Sequence, residues 1–526
     1  EAGSVTLASK AIVRNIAGDN TITAGDNATT MGGTADLNDG TAGSFTVASD
    51  LYLEGGTLTL DNNTGSSVTI AGIVTDGDGY GANVGTLELD GDFTLTAIKG
   101  LDTTKNAAST VYGPLTNKGE LTVTTLDLET YTGDLDNDGT IVATTVKANA
   151  IADGLTYLTG AGTITTSSLM MENAATSSTD ETTAGLTIGD GAIVKVSGSI
   201  ARGSLEDDED HINNLLAVTG GSLTLSGSEG NAHSADFAIT GGGVDVTGTW
   251  TGIGDVAVST ADGFDVTGSA SVTGLASTVA GGVVVDDGDL TVSGLTVASA
   301  AGAIDVDGGS LVLGGNNRLT TTGVIVADND ATVTLQASSM ASLADGEWTL
   351  VQSSTATDSY YVKGAIKSGD DSTATVALTG LDSTTLTSET LKSLYTTVFD
   401  STTYTGFLDV GSATISDKAS GEVDFDDLDE DGILQRTAYY EDATITGVDS
   451  DVGFTETQAY HFGNVVMADS NALKFGSGAL ILSKANSNGN LISNSDGTAG
   501  TLYFTGDGDV KLENGGTVAA LTTSGN

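Results

Sequence analysis

Cysteine is absent from this 526-residue chain, and proline occurs once, at Pro114. No disulfide and no thiolate metal site is therefore available. The lack of thiols fits a protein exported through an oxidising bacterial periplasm. Aromatic residues make up only 5% of the chain, although hydrophobic residues total 38%. A bulky central core is excluded by that shortage. The apolar residues are mainly Val, Leu, Ile and Ala, which suit thin, repeated β layers. Basic residues are also scarce: 17 Lys and Arg against 70 Asp and Glu, a net charge of −53. Nucleic acid is excluded as a partner, because phosphate binding needs Lys and Arg. No apolar run approaches the roughly 20 residues of a membrane span. The first residues are Glu-Ala-Gly rather than Met, which reads as a chain whose signal peptide has been removed.

What is abundant is Thr, Ser, Asp, Asn and 73 Gly. This is the chemistry of strands and turns, with few helix formers. A phrase recurs: Leu115-Thr-Asn117-Lys-Gly119-Glu-Leu121, Leu135-Asp-Asn137-Asp-Gly139-Thr-Ile141 and Leu158-Thr-Gly160-Ala-Gly162-Thr-Ile164, with a looser copy from Leu319 to Ile325. A second series places Gly-rich turns before alternating strands, led by Leu223, Val244, Phe264, Leu290, Leu311 and Val333. Its steps are 21, 20, 26, 21 and 22 residues, the longest being read as a looped-out insertion. One such rung cannot bury its apolar face alone. Rungs stacked every 20 to 22 residues bury it against each other, about 4.8 Å apart. Gly and Asn at the corners are expected to supply positive φ, and Asn at equivalent corners to form side-chain ladders.

The fold expected is all-β, a right-handed parallel β-helix (β-solenoid) over residues 1–352. Residues 353–450 lose the phrase and are read as an insertion or second domain, mostly β with one short helix. That helix is placed at Ser388 to Phe399, where Leu391, Leu394, Tyr395 and Val398 fall on one face and Ser388 can cap. Residues 451–526 read as a β-rich C-terminal region of further coils, with strands near Ala472–Phe475, Leu502–Phe504 and Val510–Leu512.

The Leu-x-Asn-x-Gly-x-Ile rungs, the Gly-Gly-Ser-Leu-x-Leu rungs and the stretch Asp345-Gly-Glu347-Trp348-Thr-Leu350-Val-Gln352 resemble parallel β-helix passengers of bacterial autotransporter-type surface proteins. The resemblance covers about residues 40–352 and 460–520, and its motifs encode a coil rather than an activity. The membrane barrel of that family is not among these residues. It was cleaved or removed, or this is another β-helical surface protein. The composition is equally similar to bacterial surface-layer proteins.

The sharpest chemical motif is Asp427-Leu-Asp429-Glu-Asp431-Gly432, the Asp-x-Asp-x-Asp-Gly form of a calcium loop. Alternate carboxylates wrap a hard cation and Gly allows the bend. The twelfth position is Ala438, so Asp424 or Glu441 would have to complete the shell. Asp134, Asp136, Asp138 and Gly139 match the same form but are already explained as a rung. The run Glu206 to Asp210 reads as a solvated loop. Three His, at 211, 233 and 461, share no motif. No phosphate loop, dinucleotide fingerprint, zinc spacing or nucleophile elbow is present. Some β-helices cleave polysaccharides with clustered carboxylates, yet with 70 acids no pair stands out.

These readings point to a non-catalytic, secreted protein on a bacterial cell surface. It is expected to be structural, assembling with copies of itself into a surface layer, sheath or filament, with calcium as a bridging cation. The alternatives are an adhesin or autotransporter passenger, meeting the cell envelope or host glycans, and a polysaccharide-active β-helix enzyme.

Overall fold

The computed structural model describes residues 20–22, 29–36, 44–62, 67–76, 85–101, 115–128, 135–148, 156–171, 186–202, 215–229, 235–314, 317–336, 339–342, 348–351, 360–361, 364–369, 374–380, 385–386, 407–409, 414–416, 437–446, 459–467, 473–475, 479–482, 485–504, 509–512, 518 and 520–523. Among the described residues every regular element is a strand. The helix expected at 388–399 lies outside them, and no described helix is long and apolar enough to cross a membrane. The chain divides into two compact units, 1–273 and 274–526. Each is built of strands stacked in parallel sheets, as in a β-solenoid.

In the first unit, long strands alternate with short ones. Glu120–Leu128, Thr140–Ala148, Thr163–Met171 and Ile193–Arg202 stack in parallel. Between them run Leu115–Asn117, Leu135–Asn137, Thr156–Thr159 and Leu186–Ile188. The register brings like residues together. Leu121, Ile141, Ile164, Val194, Leu223, Val244 and Phe264 form one ladder, each buried. Two residues on, Val123, Ala143, Thr166, Val196, Leu225, Val246 and Val266 form the next. The two-residue alternation of the sequence is thus an inside–outside alternation. Burying each Leu, Ile or Val contributes about 1.5–3 kcal/mol. No single coil holds enough such residues to fold alone, so the stack is the stable unit. The largest fully buried side chains are Trp250, Phe237 and Phe264.

A change of cross-section begins at Ile193–Arg202. There the register slips by one residue against Thr163–Met171, between Thr166 and Ser168, where Ser197 and Gly198 together stand opposite Ser167. Downstream, the long strand is broken in two around a glycine. Ser222–Leu225 precedes Gly227 and Ser228–Glu229, Gly243–Val246 precedes Gly248 and Thr249–Val258, and Phe264–Val266 precedes Gly268 and Ser269–Ser277. These glycines have no left-handed φ. A Cβ on any of them would collide with a backbone carbonyl of the coil before: Ser197 for Gly227, Gly227 for Gly248 and Gly248 for Gly268. Close approach of two backbones, not a positive φ, is what requires glycine here.

The second unit uses the other reason. Gly281, Gly302, Gly323 and Gly364 occupy the same corner with φ of 61°, 64°, 64° and 74°. Each of the first three donates its N–H to the carbonyl of the next, at 2.6–2.7 Å. A Cβ at Gly281 would meet nothing within 4 Å, so conformation alone explains it. Val283, Ile304, Ile325 and Ile366 form a ladder in this unit, and Leu290, Leu311, Val333 and Val376 form another on the following strand of each coil. The 26-residue interval before Leu290 is therefore no looped-out insertion, because it holds the strands Ser269–Ser277 and Val283–Asp286.

Beyond residue 353 the described strands continue in parallel. Ile366–Ser368 pairs with Ile325–Ala327, and Thr375–Thr379 with Thr332–Gln336. Phe407–Asp409 pairs with Thr375–Ala377, and Thr437–Thr446 with both Phe407–Asp409 and Ala459–Met467. The three C-terminal strands anticipated in the sequence are present as Leu473–Phe475, Thr501–Phe504 and Asp509–Leu512. The Trp348 phrase is a strand but not a rung. Trp348–Val351 pairs antiparallel with Ser339–Ser342, in a separate two-stranded sheet.

Candidate functional site

The densest chemistry among the described residues lies at one corner of the second unit. Val283–Asp286, Ile304–Asp307 and Ile325–Asp328 end their stacked rungs on Asp286, Asp307 and Asp328, which share one register position. The chain must then turn into the next strand within a few residues. Asp287, Gly308 and Asn329 do so in the left-handed region, at φ 54°, 72° and 46°. Asp and Asn tolerate that conformation better than other side chains. The Asn329 amide donates across one coil to the Asp307 carboxylate. Asp305, half-buried, lies in register between Val284 and Val326. Burial raises its carboxyl above the ordinary 3.8; Asp307 and Asp328 push the same way, and Lys367 opposes them.

This corner is a row of carboxylates about 4.8 Å apart. It gathers counterions through its summed field. It is not a chelate: among the described residues no group of three or more His, Cys, Asp or Glu is arranged to hold a metal ion. A smaller carboxylate pair sits on the first unit, where Asp245 is in register with Asp265. Burial raises the Asp245 carboxyl above 3.8.

The calcium-loop residues Asp424, Asp427, Asp429 and Asp431 lie outside the described residues, as do the run 206–210, His211 and His233. His461 falls in the strand Ala459–Met467, in register with Tyr439 and Ile481. Of the second calcium-like match, Leu135–Asn137 is a strand paired on both sides. Asp138 is exposed and accepts a hydrogen bond from the Ala161 N–H at 3.3 Å. Buried Asn117 donates to the Asn137 side-chain oxygen at 2.7 Å and to the Gly119 carbonyl at 3.0 Å. That is the corner Asn ladder expected from the repeat, and it stops where Gly160 follows in the next coil.

The role of the hydroxyls was not read from the sequence. At several corners a Ser or Thr side chain donates to a carbonyl of the preceding coil: Thr219 to Ile188 at 3.4 Å, Ser259 to Ile239 at 3.4 Å and Thr320 to Ala298 at 3.3 Å. Ser226 does the same to Val196 and Thr247 to Leu225, at 3.4 and 3.5 Å. In each case the backbone N–H of the same residue reaches the same carbonyl at 2.9–3.0 Å. The hydroxyl is a long second bond to an acceptor with two lone pairs. The signal was legible in principle, as Ser or Thr recurring directly after the last apolar residue of a rung. Asp286, Asp307 and Asp328 likewise recur every 21 residues.

No family model, no curated protein and no solved structure matches the chain.

Proposed function

We propose that this chain is an extracellular structural protein of a bacterial cell surface, assembling with copies of itself into a layer, sheath or filament. One observation carries the reading: the polar side chains are used to build the stack. Corner hydroxyls tie coil to coil. The Asn117 and Asn137 amides form an internal ladder. The carboxylate rows face outward at repeat spacing without converging. Such a surface suits extended, salt-dependent contact between like-charged bodies. Cations, calcium foremost, would screen the net charge of −53, with Asp424, Asp427, Asp429 and Asp431 as the loop proposed to bind it.

Electron microscopy of the purified chain, with calcium and with a chelator, tests this. A regular lattice or fibre in calcium is the expected result. Monomers under both conditions would count against the proposal and favour a displayed adhesin or passenger.

A further inference from the structure

We propose that Asn488 is a modification site. With Gly489 it loses its side-chain amide spontaneously, through a cyclic imide, to give aspartate and isoaspartate. The conversion loosens the turn that Asn488 helps to close in the second unit. The inference is independent of the self-assembly reading above.

Asparagine is a thermolabile residue. What selects one asparagine over another is the residue after it, whose backbone nitrogen must reach the side-chain carbonyl carbon. Among the described residues, Asn488 alone is an asparagine followed by glycine. Both residues are exposed. A Cβ on Gly489 would meet nothing within 4 Å, so no neighbouring atom crowds the approach. The other asparagines of this loop are placed differently. Asn490 is buried, at 9% exposure, and precedes Leu491. Asn486 and Asn494 are partly buried and precede serine. Their side chains are held in place: Asn486 Oδ1 accepts from the Asn488 and Asn490 N–H groups at 2.9 and 3.0 Å, and Asn494 Nδ2 donates to Thr498 Oγ1 at 3.0 Å. The Asn488 amide donates to the Gly497 carbonyl at 3.2 Å.

The Gly489 N–H donates to the Asn486 carbonyl at 2.9 Å. Exposed turns open locally at little cost, and the reaction runs from that opened state. Hydroxide takes the Gly489 amide proton, and the nitrogen attacks Cγ of Asn488. The N–Cγ bond forms, the Cγ–Nδ2 bond breaks, and the side-chain nitrogen leaves as ammonia. Water then opens the imide. Cleavage at Cγ gives an aspartate at position 488, and cleavage at the main-chain carbonyl gives isoaspartate. Nothing is oxidised or reduced: one water enters and one ammonia leaves. Either product replaces a donor by a carboxylate, which only accepts, opposite the Gly497 carbonyl. The isoaspartate also lengthens the backbone by a carbon, which displaces the Gly489 and Asn490 N–H groups from Asn486.

The test incubates the folded full chain in mildly alkaline buffer. Peptides covering residues 485–500 are then mapped by mass and by isoaspartate-specific methylation. Asn488 is expected to lose its amide about tenfold or more faster than Asn486, Asn490 or Asn494. Both products are expected, with one added negative charge on anion exchange. Asn488→Gln, which would have to close a larger ring, is expected to abolish that charge change. If Asn488 keeps its amide as long as the other three, or reacts only after unfolding in urea, the site is refuted. Hydrogen exchange reads the effect on the turn. The Gly489 and Asn490 N–H groups are expected to exchange faster in the deamidated fraction, and faster in Asn488→Asp, which brings the carboxylate without the isomerised backbone. Exchange in Asn488→Asp as slow as in the wild type overturns the role of the amide contact, and unchanged exchange in the deamidated fraction overturns the loosening of the turn.

Discussion

Gly248→Ala isolates the force that shapes the coil corners of the first unit. The added Cβ falls on the carbonyl oxygen of Gly227, 2.7 Å from the Ser226 carbonyl carbon and 2.9 Å from that of Gly227. Ordinary contacts between carbon atoms are about 3.5–4.0 Å, so the two coils must part by on the order of 1 Å. Parting stretches the bonds Gly248 N–H to Leu225 at 3.0 Å and Thr249 N–H to Gly227 at 2.9 Å. Overpacking costs about 1–3 kcal/mol and each weakened hydrogen bond about 1 kcal/mol. The expected loss is about 3–5 kcal/mol. Gly281→Ala is the comparison, because only its φ of 61° is at stake and no atom lies within 4 Å of the new Cβ. A left-handed Ala costs about 1–2 kcal/mol. Asn tolerates that region, so Gly281→Asn recovers most of the loss while Gly248→Asn recovers none. Denaturant midpoints, with hydrogen exchange of residues 244–250 to localise the effect, read all four variants. If Gly248→Ala costs no more than Gly281→Ala, or if Asn rescues position 248, close approach is not the reason for this glycine column.

Three further outcomes follow from the packing and charges. Burial raises the Asp245 carboxyl, so the folded state takes up its proton before the unfolded state does. This group therefore costs stability at neutral pH, and the cost vanishes as pH falls through the folded pKa towards 3.8. Asp245→Asn should raise the thermal midpoint at about pH 7, with the gain shrinking towards about pH 4; a gain independent of pH contradicts the assignment. Asn137→Ala removes the acceptor of the buried Asn117 amide and should cost about 1–3 kcal/mol in urea unfolding. An unchanged midpoint there means that the ladder contributes nothing. Phe264→Ala empties one of the largest fully buried positions and should cost about 3–5 kcal/mol, whereas Thr224→Ala, on the outward side between Leu223 and Leu225, should change little.

Period and alternation were legible because they are local. Leu121, Ile141 and Ile164 recur after Asn or Gly corners, and each rung alternates apolar and polar residues. A coil of about 20 residues with one apolar face has few ways to hide it other than against the next coil. The Asn ladder at 117 and 137 was legible for the same reason, since equal positions in equal repeats must stack. The carboxylate corner was only half legible. The recurrence of Asp at 286, 307 and 328 is in the sequence, but nothing local says that those residues end a strand or that Lys367 faces the row from a coil about 40 residues later.

By itself, then, the sequence determined the class of fold, the repeat length and the inward-facing residues, because one-dimensional alternation maps directly onto the two faces of a strand. The tertiary structure decided what depends on distance between coils. It showed that Leu290, Leu311 and Val333 form a ladder of their own, that Trp348 lies in an antiparallel hairpin rather than a rung, and that Gly248 and Gly281 are glycines for different reasons. Each is a matter of which backbone comes to lie against which. Residues 20 to 40 positions apart in the chain meet at about 4.8 Å only once the stack has formed, and no local pattern of residues carries that information.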